Sequence, residues 1–508
     1  MNAVLETRNI KSILAKFQIE APELQVNELV LDSREVAVHS VFVAIKGHQL
    51  DGRDFIPQAI SLGAKLVLQE VEEQQQHGAI EMREQTILIS FFQLGQKLSL
   101  LAAEFYGSPA EKLDVIAVTG TNGKTSVVQL ISQLRFLSGD ITASIGTLGA
   151  GIYNVDNSGL EKTLNTTPDA CQVQKLLAKY VQHGAKQVAL EASSHALVQG
   201  RIQGLKTDIA VFTNLTRDHL DYHGDMAEYA RAKRLLLNQP ELKDLILNAD
   251  DAETENWIKA ASNTQTITVF STQLDRTQVS SKHQYCLATN IQYDANGLSF
   301  ELQSSWGDAA IKCGLLGKFN VSNLLAALAS LLVLQRPLKT LAVLCEQLKP
   351  VAGRMELFKH PTAGNLIVDF AHTPDALEQA LKSARVHCEK QLICVFGCGG
   401  DRDKGKRPLM GRAAQQFSDQ IIITSDNSRS ESENAIVSDI LTGISDNSRI
   451  KIETDRKKAI QLAIAQSQSG DLIVVAGKGH ETEQIIGQQS LAYDERNYVN
   501  TLCLGKLQ

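Results

Sequence analysis

The sequence predicts an α/β protein of three domains, the central one a mostly parallel sheet with helices, like that of P-loop ATPases. Short apolar runs that end in polar clusters alternate with helix-period segments, a pattern typical of parallel sheets covered by helices. The run Val115 to Val118 leads directly into a glycine-rich turn and an apolar helix-like segment. At 508 residues the chain is also too long for one compact core.

Proline and glycine mark where the domains divide. Gly107-Ser108-Pro109 interrupts the pattern before the glycine-rich turn, and Pro350 to Arg354 precedes a second series of strand-like runs. We therefore expect a smaller N-terminal α/β domain at 1–106, a central domain at 107–349 and a C-terminal Rossmann-like α/β domain at 350–508.

Further apolar runs are expected to be buried strands whose carboxyl ends gather the ligand groups. In the central domain these are Gln187 to Leu190, before Glu191, and Ile209 to Phe212, before Thr213. The C-terminal runs are Leu366 to Val368, Leu392 to Phe396, Ile421 to Ile423 and Leu472 to Val475.

The bulk composition argues against several classes of function. The net charge of −7 gives no general attraction to nucleic acid or to an anionic membrane. The chain start lacks a signal-peptide pattern, and the longest apolar run, around Leu324 to Leu334, is too short to span a bilayer. The eight cysteines lack C-x-x-C spacing and are expected to be reduced. We therefore expect a cytoplasmic protein that binds neither nucleic acid nor membrane.

The glycine-rich turn is a candidate phosphate-binding loop for ATP. Its glycines let successive N–H groups face one anion, and the following helix adds its partial positive charge. Lys124 can reach the outer phosphates, while Thr125 offers a hydroxyl to Mg²⁺. The match to G-x-x-x-x-G-K-[ST] is partial, because Val118 stands five residues before Gly123. The loop consists of Gly120, Thr121, Asn122, Gly123, Lys124, Thr125 and Ser126.

Hard metal ligands follow two of the predicted strands. Glu191 ends one strand, and the segment 213–224, which contains His219, follows another. Mg²⁺ prefers oxygen ligands, so Thr125, Glu191 and substrate phosphates suit one ion. His219 is plausible at a second ion because it stands at a strand end beside a nucleotide loop.

Five ordered motifs resemble those of the Mur ligases of peptidoglycan synthesis. They are the loop 120–126, Glu191 to His195, Asn214 to Asp221, Gly353 to Glu356 and Asp369 to Asp375. Further motifs resemble the members of that family that add the third amino acid to a UDP-N-acetylmuramoyl dipeptide. These are Leu31 to Arg34, Gly47 to Gln49, Asn165 to Thr167 and Gly399 to Arg407.

The resemblance implies that ATP phosphorylates the D-glutamate side chain of UDP-MurNAc-L-Ala-D-Glu and that an amine then attacks the acyl phosphate. We expect a monomer with Mg²⁺ as cofactor. Lys233 matches a lysine that the family carries as a carbamate, N6-carboxylysine, which can hold a second Mg²⁺. Without the resemblance, Lys233 would be interpreted as a solvated helix residue. The implied catalytic residues are Lys124, Glu191, His219 and Lys233, and the implied metal ligands are Thr125, Glu191, His219 and carbamylated Lys233.

The resemblance also assigns the two nucleotide substrates. ATP is implied to contact the loop 120–126 together with Asn323, Arg354, Asp369 and His372. Without the resemblance, Asn323 and Ser33 would be interpreted as caps and Leu31 as a core residue. The residues implied to hold the UDP-sugar dipeptide are Leu31, Ser33, His48, Gln49, Leu50, Asn165, Thr166, Thr167, Ser193, Gln199 and Arg201.

Amino-acid choice is expected to lie in the C-terminal domain. Arg402 and Arg429 can bind the distal carboxylate of meso-diaminopimelate, while Glu481 takes an ammonium group. Lysine would leave the arginine pair unsatisfied. The family's diaminopimelate motif has proline where this chain has Ser428, so specificity is less firmly indicated than the reaction. The expected residues of this pocket are Arg402, Asp426, Asn427, Ser428, Arg429, Gly477 and Glu481.

Three alternatives stay open at this point. Two are ligases, a lysine-adding Mur ligase and a folylpolyglutamate synthase, and Arg429 and the N-terminal motifs argue against both. The third is a nucleotide-regulated binding protein, which would need neither a second magnesium ligand nor an amino-acid pocket.

Overall fold

A computed structural model describes residues 7–47, 50–154, 159–294 and 296–505. The chain divides into two compact units. Unit 1 comprises Met1–Phe270, Thr277–Tyr285 and Ala326–Gln335, and unit 2 comprises Ser271–Arg276, Cys286–Leu325 and Arg336–Gln508. The domain boundaries at 106/107 and 349/350 stay predictions.

The first part of unit 1 is a small α/β layer. Its strands follow the order β3-β4-β5-β7-β6, all parallel except β6, which pairs antiparallel with β7, while β1 and β2 form a separate antiparallel pair. The strands are β1 (Arg8–Asn9), β2 (Gln25–Val26), β3 (Glu28–Val30), β4 (Ser40–Ala44), β5 (Leu66–Val71), β6 (Ile80–Arg83) and β7 (Thr86–Phe92). The helices are α1 (Ile10–Ala15), α2 (Ile56–Ser61) and α3 (Leu94–Phe105).

The second part of unit 1 is a larger sheet in the order β10-β9-β11-β8-β12-β13-β14, parallel except for β10 at its edge. The chain passes from β8 to one side of the sheet and later returns to the other, so a topological switch point lies at β8. The strands are β8 (Asp114–Thr119), β9 (Thr142–Gly146), β10 (Gly149–Ile152), β11 (Gln187–Glu191), β12 (Ile209–Phe212), β13 (Asp244–Asn248) and β14 (Thr266–Ser271). The helices are α4 (Lys124–Leu137), α5 (Ala170–Gln182), α6 (Ser194–Val198), α7 (Leu220–His223), α8 (Met226–Arg234) and α9 (Thr254–Ala260).

Unit 2 begins with three antiparallel strands and continues into a doubly wound sheet. The antiparallel strands are β15 (Gln284–Asp294), β16 (Gly297–Ser304) and β17 (Gly307–Cys313). The helices that follow them are α10 (Lys318–Val333), which crosses the division between the units, and α11 (Leu338–Cys345).

The doubly wound sheet has the order β18-β19-β23-β20-β21-β22, parallel except for β18. Its strands are β18 (Glu356–Phe358), β19 (Asn365–Asp369), β20 (Leu392–Phe396), β21 (Gln420–Ile423), β22 (Ile450–Ile452) and β23 (Leu472–Ala476), and an antiparallel hairpin adds β24 (Glu483–Ile486) and β25 (Gln489–Ala492). The helices are α12 (Pro374–Arg385), α13 (Lys406–Phe417), α14 (Glu433–Leu441), α15 (Arg456–Gln466) and α16 (Glu495–Cys503).

The predicted α/β class, with largely parallel sheets, is confirmed. Each apolar run predicted to be a strand is one, with ends within one residue of the prediction. Each pairs in parallel with at least one neighbouring strand of its sheet. The strands that were predicted from apolar runs are buried on both faces, which explains why the runs are continuous. Within the described ranges, no helix combines the length and apolarity needed to cross a bilayer.

Candidate active site

The phosphate loop lies at the carboxyl end of β8, flanked by the ends of β11 and β12. The sheet register pairs Val118 with Glu191 and Thr119 with Phe212. Gly120 has a φ of 147°, and a Cβ atom there would collide with Thr213 Oγ1. Glycine is therefore required where the loop approaches the segment that follows β12.

That segment holds the loop through backbone and side-chain bonds. Thr121 N donates to Asn214 O at 2.9 Å, and Asn122 N donates to Asn214 Oδ1 at 2.8 Å. In return, Asn214 Nδ2 and Thr213 Oγ1 donate to Asn122 O at 3.0 and 2.6 Å. The loop conformation is thus fixed by the residues that directly follow β12.

Two lysines share one acceptor at this loop. Lys124 Nζ donates to Gly120 O at 2.9 Å and to Thr121 O at 2.8 Å, and Lys233 Nζ donates to the same Gly120 O at 2.8 Å. Lys233 is only 1% exposed, so its interpretation as a solvated helix residue is wrong. Burial, helped by the charge of Lys124, holds the pKa of Lys233 well below its ordinary value.

Glu191 supplies a buried carboxylate one strand away from the loop. Its Oε1 accepts from Thr147 N at 2.8 Å and its Oε2 from Thr147 Oγ1 at 3.2 Å. Gly146 leaves room for this carboxylate, because a Cβ there would collide with it. These hard oxygens, with the Thr125 hydroxyl, are of the kind that Mg²⁺ prefers.

The predicted metal residue His219 is half-exposed. Its Nε2 lies 3.4 Å from Asp218 Oδ2, and its backbone φ is 53°. Across the described ranges, no group of three or more His, Cys, Asp or Glu side chains is placed to hold a metal ion. The set Thr125, Glu191, His219 and carbamylated Lys233 therefore stays a prediction.

A polar network leads from Glu191 to Arg201. Thr167 Oγ1 donates to Glu191 O at 2.6 Å and lies 3.2 Å from Ser193 Oγ. Arg201 Nη1 donates to Thr167 O at 2.6 Å, and its Nε and Nη2 donate to Gln199 Oε1 at 2.9 and 2.7 Å. Four residues assigned to the sugar and peptide are thus brought together in unit 1.

Five rings cluster beside the phosphate loop. His195 lies 4.1 Å from Tyr222 and 5.1 Å from His219 between ring centroids, and His223 lies 5.1 Å from Tyr229. The Tyr229 hydroxyl is 3.2 Å from Thr121 Oγ1, and Lys233 Nζ lies 4.4 Å from the Tyr229 ring. Tyr229 therefore connects the loop to Lys233.

In unit 2, the residues assigned to ATP surround Phe370. The Arg354 guanidinium lies 4.7 Å from the Phe370 ring centroid, and the rings of His372 and His480 lie 4.7 and 4.9 Å away. Asp369 accepts from the backbone N–H groups of Met355 and Ala371 at 2.7 and 2.9 Å. Burial raises the pKa of Asp369.

Asn323 lies inside α10, not at its start, because the helix begins at Lys318. It is buried, and its Nδ2 donates to Asn320 Oδ1 at 3.1 Å. The interpretation of Asn323 as a helix cap is therefore wrong. Its contact with ATP stays a prediction.

The two arginines assigned to the amino acid flank Gly399. A Cβ on Gly399 would lie 3.1 Å from Arg429 Nη1 and 3.7 Å from Arg402 Cγ. Arg429 has a φ of 48°, and its Nη1 donates to Gly400 O at 2.8 Å. Unit 2 thus presents the Arg429 guanidinium and the aliphatic part of the Arg402 side chain beside a residue without a side chain.

Acidic and amide groups gather at the ends of β21 and β23. Lys478 Nζ donates to Asn427 Oδ1 at 3.0 Å and to Glu481 Oε2 at 2.8 Å. Asp426 lies close to Gly477, whose φ is 120° and whose added Cβ would be 2.6 Å from Asp426 Oδ2. Glu481 therefore already has an ammonium partner within the chain.

Comparison with known proteins decides the family. Three family models match: the Mur ligase family catalytic domain at 25–106, the Mur ligase middle domain at 118–331 and the Mur ligase glutamate ligase domain at 353–479. The chain belongs to the Mur ligase family. A curated relative from Buchnera aphidicola subsp. Acyrthosiphon pisum is 42% identical over 497 residues, which cover 98% of this chain and 99% of the relative. That relative is named UDP-N-acetylmuramoyl-L-alanyl-D-glutamate–2,6-diaminopimelate ligase.

Solved structures agree with this assignment. A structure bearing the same enzyme name is 35% identical with a TM-score of 0.71, and the match covers 99% of both chains. A folylpolyglutamate synthase from Mycobacterium tuberculosis, complexed with ADP and AMPPCP, has a TM-score of 0.58 at 18% identity, covering 75% of this chain and 92% of that one. This second likeness shows a shared fold alone.

The other residues assigned to the UDP-sugar dipeptide have varied surroundings. In this Mur ligase Leu31 is half-buried against the N-terminal core, and Ser33 Oγ donates to Gln58 Oε1 at 2.7 Å. Asp32, not Ser33, caps the short helical turn that follows. Leu50 is 69% exposed, and Asn165 is also exposed. Thr166 Oγ1 lies 3.3 Å from Thr147 Oγ1, and His48 and Gln49 lie outside the described residues.

Sequence reasoning missed several residues that contact the predicted site residues, among them Tyr229, Phe370, Lys478 and His480. Each stands in or next to a motif that sequence reasoning had singled out, so proximity to the motifs was an available signal. Their roles depend on contacts with distant segments, as between Tyr229 and Thr121 or between Lys478 and Asn427.

Proposed function

We propose that this Mur ligase joins meso-2,6-diaminopimelate to the D-glutamate side-chain carboxylate of UDP-N-acetylmuramoyl-L-alanyl-D-glutamate, converting ATP to ADP and phosphate. Its similarity to the Buchnera relative, whose name states this pair of substrates, supports the reaction. The observation that carries the choice of amino acid is that the side chains of two arginines, Arg429 and Arg402, both lie beside Gly399. Such a pair suits a carboxylate, which diaminopimelate has at its distal end and lysine lacks.

The proposed reaction has two steps. A carboxylate oxygen takes the γ-phosphoryl group of ATP, and ADP leaves. The amino nitrogen then attacks the carbonyl carbon of the acyl phosphate, inorganic phosphate departs with the C–O electron pair, and the nitrogen loses a proton. The loop places Lys124 and the N-terminus of α4 where phosphate charge accumulates, so these groups stabilise the transferring phosphoryl group. Lys124 exchanges the Gly120 and Thr121 carbonyls for phosphate oxygens when ATP binds.

Thr125, Glu191, His219 and carbamylated Lys233 would hold Mg²⁺. Bound there, Mg²⁺ neutralises phosphate charge that would otherwise repel the substrate carboxylate. The chain itself orients these donors: Thr147 holds both oxygens of Glu191, and Tyr229 lies against Lys233.

Lys233 is proposed to react with CO₂, its amine nitrogen forming a bond to carbon and releasing a proton, to give a carbamate. Two features support this. The amine is buried with a lowered pKa, which favours the neutral, nucleophilic form, and it stands beside the cation Lys124. A carbamate at Lys233 would place an anion beside the cation Lys124, which would attract it.

The carbamate is tested by intact mass measurement of the wild type and Lys233→Met in bicarbonate buffer. We expect the added CO₂ mass in the wild type alone, together with activity that rises with bicarbonate. An unmodified Lys233 in a fully active enzyme would refute the carbamate.

In unit 1, Thr167, Ser193, Gln199 and Arg201 are proposed to hold the sugar and peptide of the UDP substrate. Arg201 is partly buried, with a pKa lowered by desolvation, and its fork already binds Gln199 and Thr167. A substrate carboxylate or phosphate would give this guanidinium the anionic partner that it prefers.

The decisive experiment measures phosphate release from ATP with Mg²⁺ and the UDP-MurNAc dipeptide, comparing meso-diaminopimelate with L-lysine. We expect release that depends on diaminopimelate and is much slower with lysine. Equal rates would refute the arginine-pair assignment and favour a lysine-adding enzyme. Release that does not depend on an amino acid would refute the ligase assignment.

A further inference from the structure

Lys478 is a fully buried cation in the amino-acid pocket to which no substrate has been assigned. Its side chain is 0% exposed. Its ammonium group donates to Asn427 Oδ1 at 3.0 Å and to Glu481 Oε2 at 2.8 Å, and it lies 3.9 Å from Asp426 Oδ1. Because a buried ammonium is costly to desolvate, it persists only where such partners surround it. All three partners belong to the proposed pocket.

The Asn427 carboxamide is held at both ends by this arrangement. Its Oδ1 accepts from Lys478 Nζ and from Ile485 N at 2.9 Å, and its Nδ2 donates to Glu481 Oε2 at 3.1 Å. A rotation of the amide group would place NH₂ against an ammonium and a backbone N–H. Lys478 therefore selects the orientation of Asn427.

Asn427 in turn aligns the loop that carries Arg429. Ile485 N donates to Asn427 Oδ1, while Ile485 O accepts from Arg429 N at 3.1 Å. Gly487 N also donates to Arg429 O at 2.7 Å. The backbone of Arg429, at a φ of 48°, is thus fixed to the β24–β25 hairpin in the register that Asn427 sets.

Glu481 keeps an oxygen for a ligand. Its side chain is 31% exposed, and both hydrogen bonds that it accepts within the described ranges go to Oε2. Two carboxylates, Asp426 and Glu481, and one ammonium, Lys478, leave a single net negative charge at this end of the pocket. That charge suits the ammonium group of an amino acid.

We propose that Lys478 is a positioning residue for amino-acid recognition, which fixes Glu481 for the substrate ammonium and, through Asn427, Arg429 for the distal carboxylate. The inference depends on the proposed function. It adds to that function one residue, Lys478, which keeps Glu481 and Arg429 at a fixed separation. Lys478 contacts neither reacting group; its effect is transmitted by Asn427 and Glu481.

The test compares Lys478→Met with the matched surface variant Lys458→Met. Lys458 is also in unit 2, but its side chain is 68% exposed. We expect Lys478→Met to raise the KM for diaminopimelate by about 10-fold or more, as expected when a buried charge loses its partner. The KM for ATP and the kcat at saturating diaminopimelate should change by less than about two-fold, and Lys458→Met should leave all three unchanged.

A double-mutant cycle with Glu481→Gln separates positioning from general destabilisation. If Lys478 acts through Glu481, the double variant raises the KM for diaminopimelate no further than the larger single substitution does. Additive effects, or equal rises in the KM for ATP and for diaminopimelate, would mean a merely structural role and overturn the inference. If Lys478→Met fails to bind the UDP-MurNAc dipeptide, Lys478→Gln takes its place under the same criteria.

Measurements on the wild type distinguish a failure of the proposed function from a failure of the positioning role. A wild type that releases no phosphate in response to diaminopimelate refutes the proposed function, and the positioning role with it. A diaminopimelate-dependent wild type combined with a folded Lys478→Met variant of unchanged KM refutes the positioning role alone.

Discussion

The glycine-rich loop of unit 1 and the proposed amino-acid pocket of unit 2 both lie at the carboxyl ends of parallel strands, but different contacts hold them in shape. The loop is held by glycine conformations and by hydrogen bonds to its own backbone, from Thr213 and Asn214 and from the amines of Lys124 and Lys233. The pocket is held by buried charges, Lys478 with Glu481 and Arg456 with Glu495. Mutations should therefore affect the two sites in different ways.

The difference fits the ligand proposed for each site. A polyphosphate presents many equivalent oxygens, so a row of backbone N–H groups and one lysine suffice, and all can come from one short segment. An amino acid with charges at both ends needs fixed cations and anions at a set separation. Those groups come from segments that are distant in the sequence, so buried ion pairs hold them together.

The largest expected effect is on the reaction at the loop. Lys124→Ala should lower kcat by about 10³-fold or more, because the lysine stabilises charge on the transferring phosphoryl group. The UDP-MurNAc dipeptide should still bind, as measured by calorimetry, because its proposed residues lie elsewhere in unit 1. Lys259→Ala is the control, since Lys259 is 72% exposed in the same unit. Substantial activity in Lys124→Ala would contradict the assigned role.

The next effect should appear in the stability of unit 2. Arg456 and Glu495 form an ion pair with 1% and 0% side-chain exposure, and Arg456 Nη2 also donates to Ala476 O at 2.8 Å. Arg456→Met leaves a buried carboxylate unpaired and should cost about 3–5 kcal/mol of unfolding free energy. Denaturant unfolding monitored with a unit 2 probe measures this.

The matched control for that prediction is Lys458→Met, whose exposed pair with Asp455 spans 3.8 Å. It should cost about 0–1 kcal/mol, because solvent screens such pairs. Equal losses in the two variants would show that the charges of unit 2 do not hold the pocket and would remove the contrast with the loop.

The same contrast explains which features could be predicted from sequence. The strand before the loop and the loop glycines lie in one contiguous stretch, so their pattern predicts them. The C-terminal strands are equally clear, since burial on both faces makes each a continuous apolar run. The family resemblance supplied Lys233, whose burial no local pattern predicts.

What the sequence could not predict depends on contacts between distant segments. A lysine that follows a strand is ordinarily solvated, and only the fold brings Asn427 to Lys478, 51 positions away. Tyr229 meets Thr121 across 108 positions. The β24–β25 hairpin was missed for a related reason: it is short and largely exposed, so it lacks a strong apolar alternation.

A smaller effect on the unfolding free energy should separate the cost of backbone conformation from the cost of steric crowding at the loop. Gly120 and Gly139 both have positive φ, 147° and 91°, but a Cβ on Gly139 would meet no atom within 4 Å. Gly139→Ala should therefore cost only backbone strain, about 1–2 kcal/mol. Gly120→Ala adds the collision with Thr213 Oγ1, about 1–3 kcal/mol more, and should also weaken ATP binding. Equal unfolding free energies and unchanged ATP affinity would mean that the loop is not tightly fixed against Thr213.

The smallest effect, and the one most specific to the pocket, is on amino-acid choice. Arg429→Met should reduce the preference of the enzyme for meso-diaminopimelate over L-lysine by about 10- to 100-fold, because the distal carboxylate then loses a charged hydrogen-bond donor that lysine never used. The quantity to measure is the ratio of kcat/KM values for the two amino acids. Arg449→Met is the control, since Arg449 is 45% exposed in the same unit. In Arg429→Lys, the preference for meso-diaminopimelate should lie between those of Arg429→Met and Arg449→Met, because an ammonium keeps the charge but loses the planar fork. If both amino acids lose activity equally in Arg429→Met, the arginine supports the loop and does not recognise the carboxylate, and specificity would then rest on Arg402.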